Sequence, residues 1–433
     1  MSRTQLKRAH VLRSYNEGLL SRKDTAEKLG LSQRQAQRLA KGMKEEGETA
    51  LIHKNTGRRP AHTLPTKTKE DILKIRRQEV YKDCNVKHFQ GLLEKYHGII
   101  VSYTPLYLLL KENGIESPKK HSKTKTHRKR KRRACPGELI QIDAAPFDWF
   151  GDGKMRSLHG GIDDASSMVT GLYLAENECL HGYFEITRQT ITNHGTPLSM
   201  YSDKHAIFRS PLTQKKEEVG EEANLTQYGR ALDELGVNII FANSPQAKGR
   251  IERLWNTLQS RLPVEFRLRG ITTVEAANSF LSDYINDYNK LFAVKPEGDS
   301  IFVPLLAGED LENILCVKET RAMDSAGVFS FKNRSFRVLD EGHPIISAKA
   351  KIEVLANINN GLRVRYKDRI YKTAEAEKPV KMLPRRKKIE EAAVKPHLIH
   401  GSDEWKKIWY MERYEDTLAF LYEVFLLPLP KSS

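Results

Sequence analysis

Three acidic side chains, far apart in the chain, have the types and settings that could do chemistry together. Asp143 closes the run Glu138-Leu139-Ile140-Gln141-Ile142-Asp143, and Asp203 closes Leu198-Ser199-Met200-Tyr201-Ser202-Asp203. Glu252 lies in Lys248-Gly249-Arg250-Ile251-Glu252-Arg253-Leu254-Trp255. Two carboxylates at the ends of apolar, β-rich runs and a third at the start of an amphipathic helix can converge on one point. Such a cluster suits a hard divalent cation, because Mg²⁺ takes oxygen ligands in near-octahedral geometry. The formal net charge of the chain is +17. A metal-loaded acidic pocket in so basic a protein points to chemistry on a phosphodiester.

The elements that must position these groups follow from size and composition. A chain of 433 residues is too long for one core and predicts several domains. Hydrophobic content of 39% and charged content of 29% describe a soluble, mostly folded protein. The excess of Lys and Arg predicts a polyanionic partner. Cys84, Cys135, Cys179 and Cys316 are scattered without metal-ligand spacing and read as reduced thiols. No apolar run approaches the ~20 residues of a membrane helix, and no secretory h-region is evident. A cytoplasmic, nucleoid-associated protein is the expectation.

Residues 1–52 read as three short helices. Leu6, Ala9, His10, Leu12 and Tyr15 give the first an apolar stripe. Ser21 caps a second, stopped by Gly30, and Ser32 caps a third that displays Arg34, Gln35, Gln37, Arg38 and Lys41. This is the helix-turn-helix pattern, with Arg and Gln able to contact guanine and adenine edges. Residues 53–65 form a basic arm with Arg58 and Arg59, suited to a phosphate backbone or a minor groove. Residues 66–116 read as a second helical, helix-turn-helix-like DNA-binding domain. In the linker 117–134, ten of the fifteen residues from Lys119 to Arg133 are Lys or Arg, ending Arg128-Lys129-Arg130-Lys131-Arg132-Arg133. Such a segment cannot build a core and is expected on DNA.

Residues 135–300 alternate strand and helix signals: strands over 139–143, 158–163, 168–174, 198–202 and 237–241, helices over 179–194, 226–235 and 247–262. Pattern alone gives an α/β domain. Ser244-Pro245-Gln246-Ala247 with Lys248-Gly249-Arg250-Ile251-Glu252-Arg253 resembles the catalytic-glutamate segment of the DDE transposase and retroviral-integrase superfamily. Tyr201-Ser202-Asp203-Lys204-His205-Ala206-Ile207-Phe208 resembles the second-aspartate motif, with Lys204 and His205 where the family often has Asn and Gly. The 48 residues between Asp203 and Glu252 exceed the retroviral spacing and, with the long N-terminal region, fit ISNCY-type insertion-sequence transposases best.

That resemblance implies a ribonuclease-H-like mixed five-stranded core with Asp143, Asp203 and Glu252 as catalytic metal ligands. In-line displacement at a phosphate is served by two ions about 3.5–4 Å apart. Two Mg²⁺ or Mn²⁺ are therefore expected per site, with Asp143 bridging. Lys248, Arg250 and Arg253 are expected on phosphates, while Asp163 and Asp164 read as turn and cap residues. Strand-like runs in 320–375 predict a small β-barrel. Residues 376–433 read as a basic linker and an amphipathic helix.

The implied activity is that of a transposase that binds terminal inverted repeats, cleaves the element ends and joins their 3′-hydroxyls to target DNA. Its partners would be double-stranded DNA and, because two ends must meet, a second copy or more in a synaptic complex. The alternative is a non-catalytic, sequence-specific DNA-binding regulator derived from such an enzyme.

Overall fold

The computed structural model describes residues 3–52, 64–118, 131–209, 225–242, 248–305, 310–339 and 345–376, and divides into two compact units, 1–73 and 74–433. The basic arm residues Arg58 and Arg59, linker residues Arg128, Lys129 and Arg130, and the C-terminal amphipathic segment lie outside the described residues.

In the first unit, α1 (Arg3–Asn16), α2 (Arg22–Leu29) and α3 (Gln33–Glu46) pack around Ala9, Leu12, Ala26, Ala36 and Ala40. Ser21 accepts the Asp24 N–H at the start of α2, and Gly30 ends it at φ 61°, a left-handed conformation that costs glycine little. Ser32 and Gln35 form a reciprocal capping box at the start of α3. Leu6 and His10, expected on the inner stripe of α1, stand in solvent, because the buried face of that helix narrows to Ala9 and Leu12. The helix α4 (Thr66–Arg76) spans the boundary between the units.

In the second unit, α5 (Val86–His97) and α6 (Tyr103–Glu112) bury Phe89, Leu92, Leu93, Leu106, Leu109 and Leu110. The mixed sheet that follows comprises β1 (Ile140–Phe147), β2 (Arg156–Asp163), β3 (Val169–Ala175), β4 (Ser199–Ser202) and β5 (Asn238–Phe241). Its order is β3-β2-β1-β4-β5, with an antiparallel meander on one side and β4 and β5 parallel to β1 on the other. This is the five-stranded mixed sheet that the resemblance implies.

Alternate residues of β1 face opposite layers. Ile140 and Ile142 pack with α7 (Leu180–His194) and α8 (Gln227–Glu234) through Tyr183, Phe184, Tyr228 and Leu232. Ala145 packs on the other side with α9 (Gly249–Leu258), α10 (Leu262–Arg269) and α11 (Val274–Phe292) through Leu254, Trp255, Phe266 and Tyr284. One helix was expected over 247–262, but α9 ends at Leu258 and α10 starts anew at Leu262. Pro263 explains the break, since it fits a first turn but clashes with the carbonyl four residues back in a continuous helix. The α5–α6 unit docks on this layer: His88 Nε2 meets Glu265 at 2.9 Å, Asn85 reaches Ser260, and Lys95 pairs with Asp287.

The short helix α12 (Leu311–Ile314) leads into a six-stranded antiparallel sheet: β6 (Val317–Ala322), β7 (Val328–Phe331), β8 (Arg334–Leu339), β9 (Lys351–Asn357), β10 (Gly361–Tyr366) and β11 (Arg369–Glu375). The order β6-β9-β10-β11-β8-β7 brings β6 back beside β7 and nearly closes a barrel. The strand-like stretches 328–339 and 361–375 each fold back on themselves as hairpins, the first at Asn333. Lys332-Asn333 and Lys367-Asp368 turn them with positive φ at both central residues. The barrel shares a continuous apolar core with α7 and α8.

Edge strand β3 has an open side, and three amide side chains close it. Asn289, Gln189 and Asn278 each accept the N–H and donate to the C=O of one residue, respectively Val169, Leu172 and Leu174. The side chains thus replace a sixth strand and block edge-to-edge pairing. Asn289→Leu removes both partners of Val169 and should lower the unfolding free energy by about 2 kcal/mol in urea titrations. An unchanged midpoint would show that water satisfies that edge equally well.

Candidate active site

Asp143 and Asp203 meet where two parallel strands part. Gln141 of β1 is in register with Tyr201 of β4, and pairing stops there. Each aspartate lies two residues further on, at the same level of its strand, outside the carboxyl end of the paired region. Beyond this point β1 continues to Phe147 against β2 alone, so Asp143 lies within the strand and not at its end as the sequence suggested. The loss of the β4 partner also leaves a free side where Pro146 needs no ladder hydrogen bond.

Lys248 joins the two carboxylates. Its Nζ is 2.9 Å from Asp143 Oδ1 and 3.4 Å from Asp203 Oδ2, with the lysine side chain only 12% exposed. The second oxygen of each aspartate has its own task. Asp143 Oδ2 accepts the Trp255 indole N–H at 3.0 Å, and Asp203 Oδ1 accepts the His205 N–H to shape the turn after β4. Gly160 stands opposite Asp143 across the β1–β2 ladder. A Cβ there would come within 2.6 Å of the Trp255 ring, so only glycine lets the indole lie over the sheet and reach Asp143.

Glu252 lies in the first turn of α9, four residues after Lys248 and three before Trp255. Those spacings put the three side chains on one helix stripe, whose flanking members both touch Asp143. The Glu252 side chain itself is exposed. Among the described residues no three acidic, histidine or cysteine side chains are gathered closely enough to hold a metal ion. The structure therefore joins Asp143 and Asp203 through a lysine, while Glu252 stays exposed on the helix stripe that carries Lys248 and Trp255 and does not complete a three-acid cluster with them.

Arg250, expected on a phosphate, is instead buried, with Nε 2.7 Å from an Asp164 oxygen that is itself fully buried. Its place on the inward stripe with Ile251, Leu254 and Leu258 is the sequence signal for that fate. Arg132 is also committed to the protein, donating to the carbonyls of Asp164 and Ala165 and to Ser167 Oγ. Lys131 and Arg133 pair with Glu297 and Glu138 at the surface. Arg253 remains exposed, its Nε bonded to the Gly249 carbonyl.

On α3, Arg34, Gln37, Arg38 and Lys41 recur at helical spacing on one exposed face, opposite Ala36 and Ala40. Gln35 has a second, structural task. Its oxygen accepts the Ser32 N–H in the capping box, which leaves its amide N–H groups at the exposed surface.

Burial tunes the groups behind the carboxylates. Burial pushes the Tyr183 hydroxyl well up, and the negative charges of Glu178, Asp143 and Asp203 add to the effect. Tyr183 therefore stays protonated and donates to Glu178 Oε1 at 2.7 Å. Burial lowers His159 to about 4, which keeps it neutral. In that form Nδ1–H donates to the Tyr173 carbonyl and Nε2 accepts the Cys179 N–H.

A three-helix N-terminal unit in the same chain as a mixed five-stranded α/β core, with two aspartates at the fork of parallel strands, is the arrangement that the resemblance implied. Residues 7–61 match the model of a helix-turn-helix domain family. The chain is 34% identical over 405 residues to the transposase for insertion sequence IS1202 of Streptococcus pneumoniae, covering 86% of each. It is 34% identical over 371 residues to the putative transposase y4bF of Sinorhizobium fredii, covering 85% of this chain and 80% of that one. The chain belongs to the insertion-sequence transposases of the DDE transposase and integrase superfamily. Among solved structures, a simian T-cell lymphotropic virus intasome with the PP2A regulatory subunit B56 gamma matches at 13% identity and TM-score 0.30, over 70% of this chain and 96% of that one. The HTLV-2 integrase catalytic core in complex with magnesium matches at 16% identity and TM-score 0.28, over 39% of this chain and 96% of that one. Among the described residues no helix is long and apolar enough to cross a membrane.

Proposed function

We propose that this transposase binds the terminal inverted repeats of its element, cleaves the ends and joins their 3′-hydroxyls to target DNA at Asp143, Asp203 and Glu252. The observation that carries the reading is the shared lysine. A pair of carboxylates at the fork of two parallel strands already holds one cation, Lys248 Nζ, between them. Oxygen donors so arranged suit a hard divalent ion, and Glu252 on the facing helix stripe offers a further carboxylate from the solvent side. Two Mg²⁺ or Mn²⁺ bound there would supply positive charge at the attacking and leaving oxygens of the phosphodiester.

The protein's own groups do the rest. The Trp255 N–H fixes the rotation of the Asp143 carboxylate, and the Asp203 turn fixes the second acid. Lys248, once released from the pair, and exposed Arg253 hold phosphates beside it. The exposed face of α3 reads the element end through Arg34, Gln37 and Arg38. Two ends must be handled together, so the active form is a dimer or larger assembly on DNA. A strand-transfer assay with paired element ends tests this. Joined products should form with Mg²⁺ and matched ends, and vanish with chelator. Equal joining with chelator, or with random-sequence ends, would refute the proposed chemistry or the proposed end recognition respectively.

A further inference from the structure

The helix that carries Glu252 does not cap its own start. Lys248 occupies the N-cap position of α9 and makes no side-chain cap bond, because an ammonium has no acceptor to offer an N–H; it is turned onto the aspartates instead. The first-turn N–H of Ile251 is satisfied from the sheet by Gln141 Oε1 at 3.3 Å. Gln141 is fully buried near the start of β1, two residues before Asp143 and on the same face. Its amide nitrogen donates to Asp164 Oδ1 at 3.0 Å, and Arg250 Nε reaches the same oxygen at 2.7 Å. Asp164 Oδ2 accepts the Arg133 N–H, where the basic linker joins the core.

We propose that Asp164, Gln141 and Arg250 are positioning residues for the reaction, a buried set that pins the first turn of α9, and with it Glu252, against the strand that carries Asp143. The inference rests on the proposed catalytic role of those two acids. Two bonds define the pin. Gln141 holds the helix backbone at Ile251, the residue before Glu252, and Asp164 holds the side chain at Arg250, the residue before that. Polar groups this deeply buried stabilise poorly unless they are fully paired, so an apolar filling would serve the fold as well. Their value lies in the direction they impose. The linker bond to Asp164 Oδ2 ties the last basic residues of the linker to the same carboxylate.

The test separates placement from stability. The single variants Asp164→Asn and Arg250→Met each leave a buried charge or donor without its partner and should melt earlier than the native chain. The double variant D164N/R250M removes both charges and should regain most of the melting temperature. At saturating end DNA its single-turnover strand-transfer rate should nevertheless stay about tenfold down, with end-DNA affinity within about twofold of native. Native stability together with native rate in the double variant would overturn the positioning role. Should the double variant fail to fold, Gln141→Met decides the question, because it removes the acceptor for the Ile251 N–H without touching a charge. The same loss of rate at unchanged end affinity and melting temperature supports the proposal, and a native rate refutes it. Asp143→Asn is assayed alongside. If that variant transfers strands normally, the catalytic reading falls and the positioning role with it; if it is inactive while the positioning variants are fully active, only the positioning role falls.

Discussion

Asp143→Asn should abolish strand transfer, by at least about a thousandfold or roughly 4 kcal/mol of barrier, while the chain stays folded and still binds element ends. The substitution keeps the size of the side chain and removes its charge. In the native site both Asp143 oxygens accept from donors, Lys248 Nζ and Trp255 Nε1. An amide can accept from only one of them, so the carboxylate's rotation and its charge are lost together. Asp203→Asn should act in the same direction. Its first oxygen shapes the turn at His205 and its second faces Lys248. A single-turnover gel assay with preformed 3′-hydroxyl ends measures the chemical step, and thermal melting checks the fold. Activity within about tenfold of native in Asp143→Asn would remove that residue from the reaction.

The affinity for end DNA should fall about ten-thousandfold between roughly 50 and 200 mM salt. The argument is a count of charges left for phosphate. Arg34, Arg38 and Lys41 line the exposed face of α3, and Arg58, Arg59, Arg128, Lys129 and Arg130 come from the basic arm and linker. Each phosphate contact releases condensed counterions and steepens the salt dependence by about 0.9 in a log–log plot. Replacing Arg128, Lys129 and Arg130 together should flatten that slope by about 2.7. Replacing Arg132 should leave it unchanged, because its guanidinium is spent on the Asp164 and Ala165 carbonyls and Ser167. Fluorescence anisotropy across a salt series reads both slopes. An equal flattening by Arg132→Gln would place that side chain on DNA.

Much of the site could be read from residue order because local rules decide it. Ser32 three residues before Gln35 announces the capping box that starts α3, and Gly30 announces the end of α2. Apolar runs ending at Asp143 and Asp203 locate the fork of β1 and β4, although Pro146 reads as a breaker and conceals the continuation of β1 to Phe147. What stayed hidden depends on contacts between distant segments. Gln141 looks like an ordinary polar residue in a half-exposed strand until α9 supplies an N–H for it to accept. Asp164 reads as a turn residue until Arg250, 86 positions on, folds against it. The basic character of Lys248-Gly249-Arg250 suggests a phosphate cradle, yet helical periodicity sends Arg250 inward and only Lys248 toward the acids. The turn at Lys332-Asn333 is legible from Asn333, whereas the hairpin at Lys367-Asp368 is hidden because lysine in a positive-φ turn lacks the usual glycine signal.

The cation site itself is open to direct measurement by titrating Mn²⁺ into the native chain, Asp143→Asn, Asp203→Asn and Lys248→Met, with free Mn²⁺ followed by electron paramagnetic resonance. The native chain should take up Mn²⁺, both asparagine variants should lose that uptake, and Lys248→Met should bind about tenfold more tightly because its own ammonium no longer competes for the two carboxylates. Indistinguishable Mn²⁺ binding by all four proteins would contradict a metal site at the fork of β1 and β4.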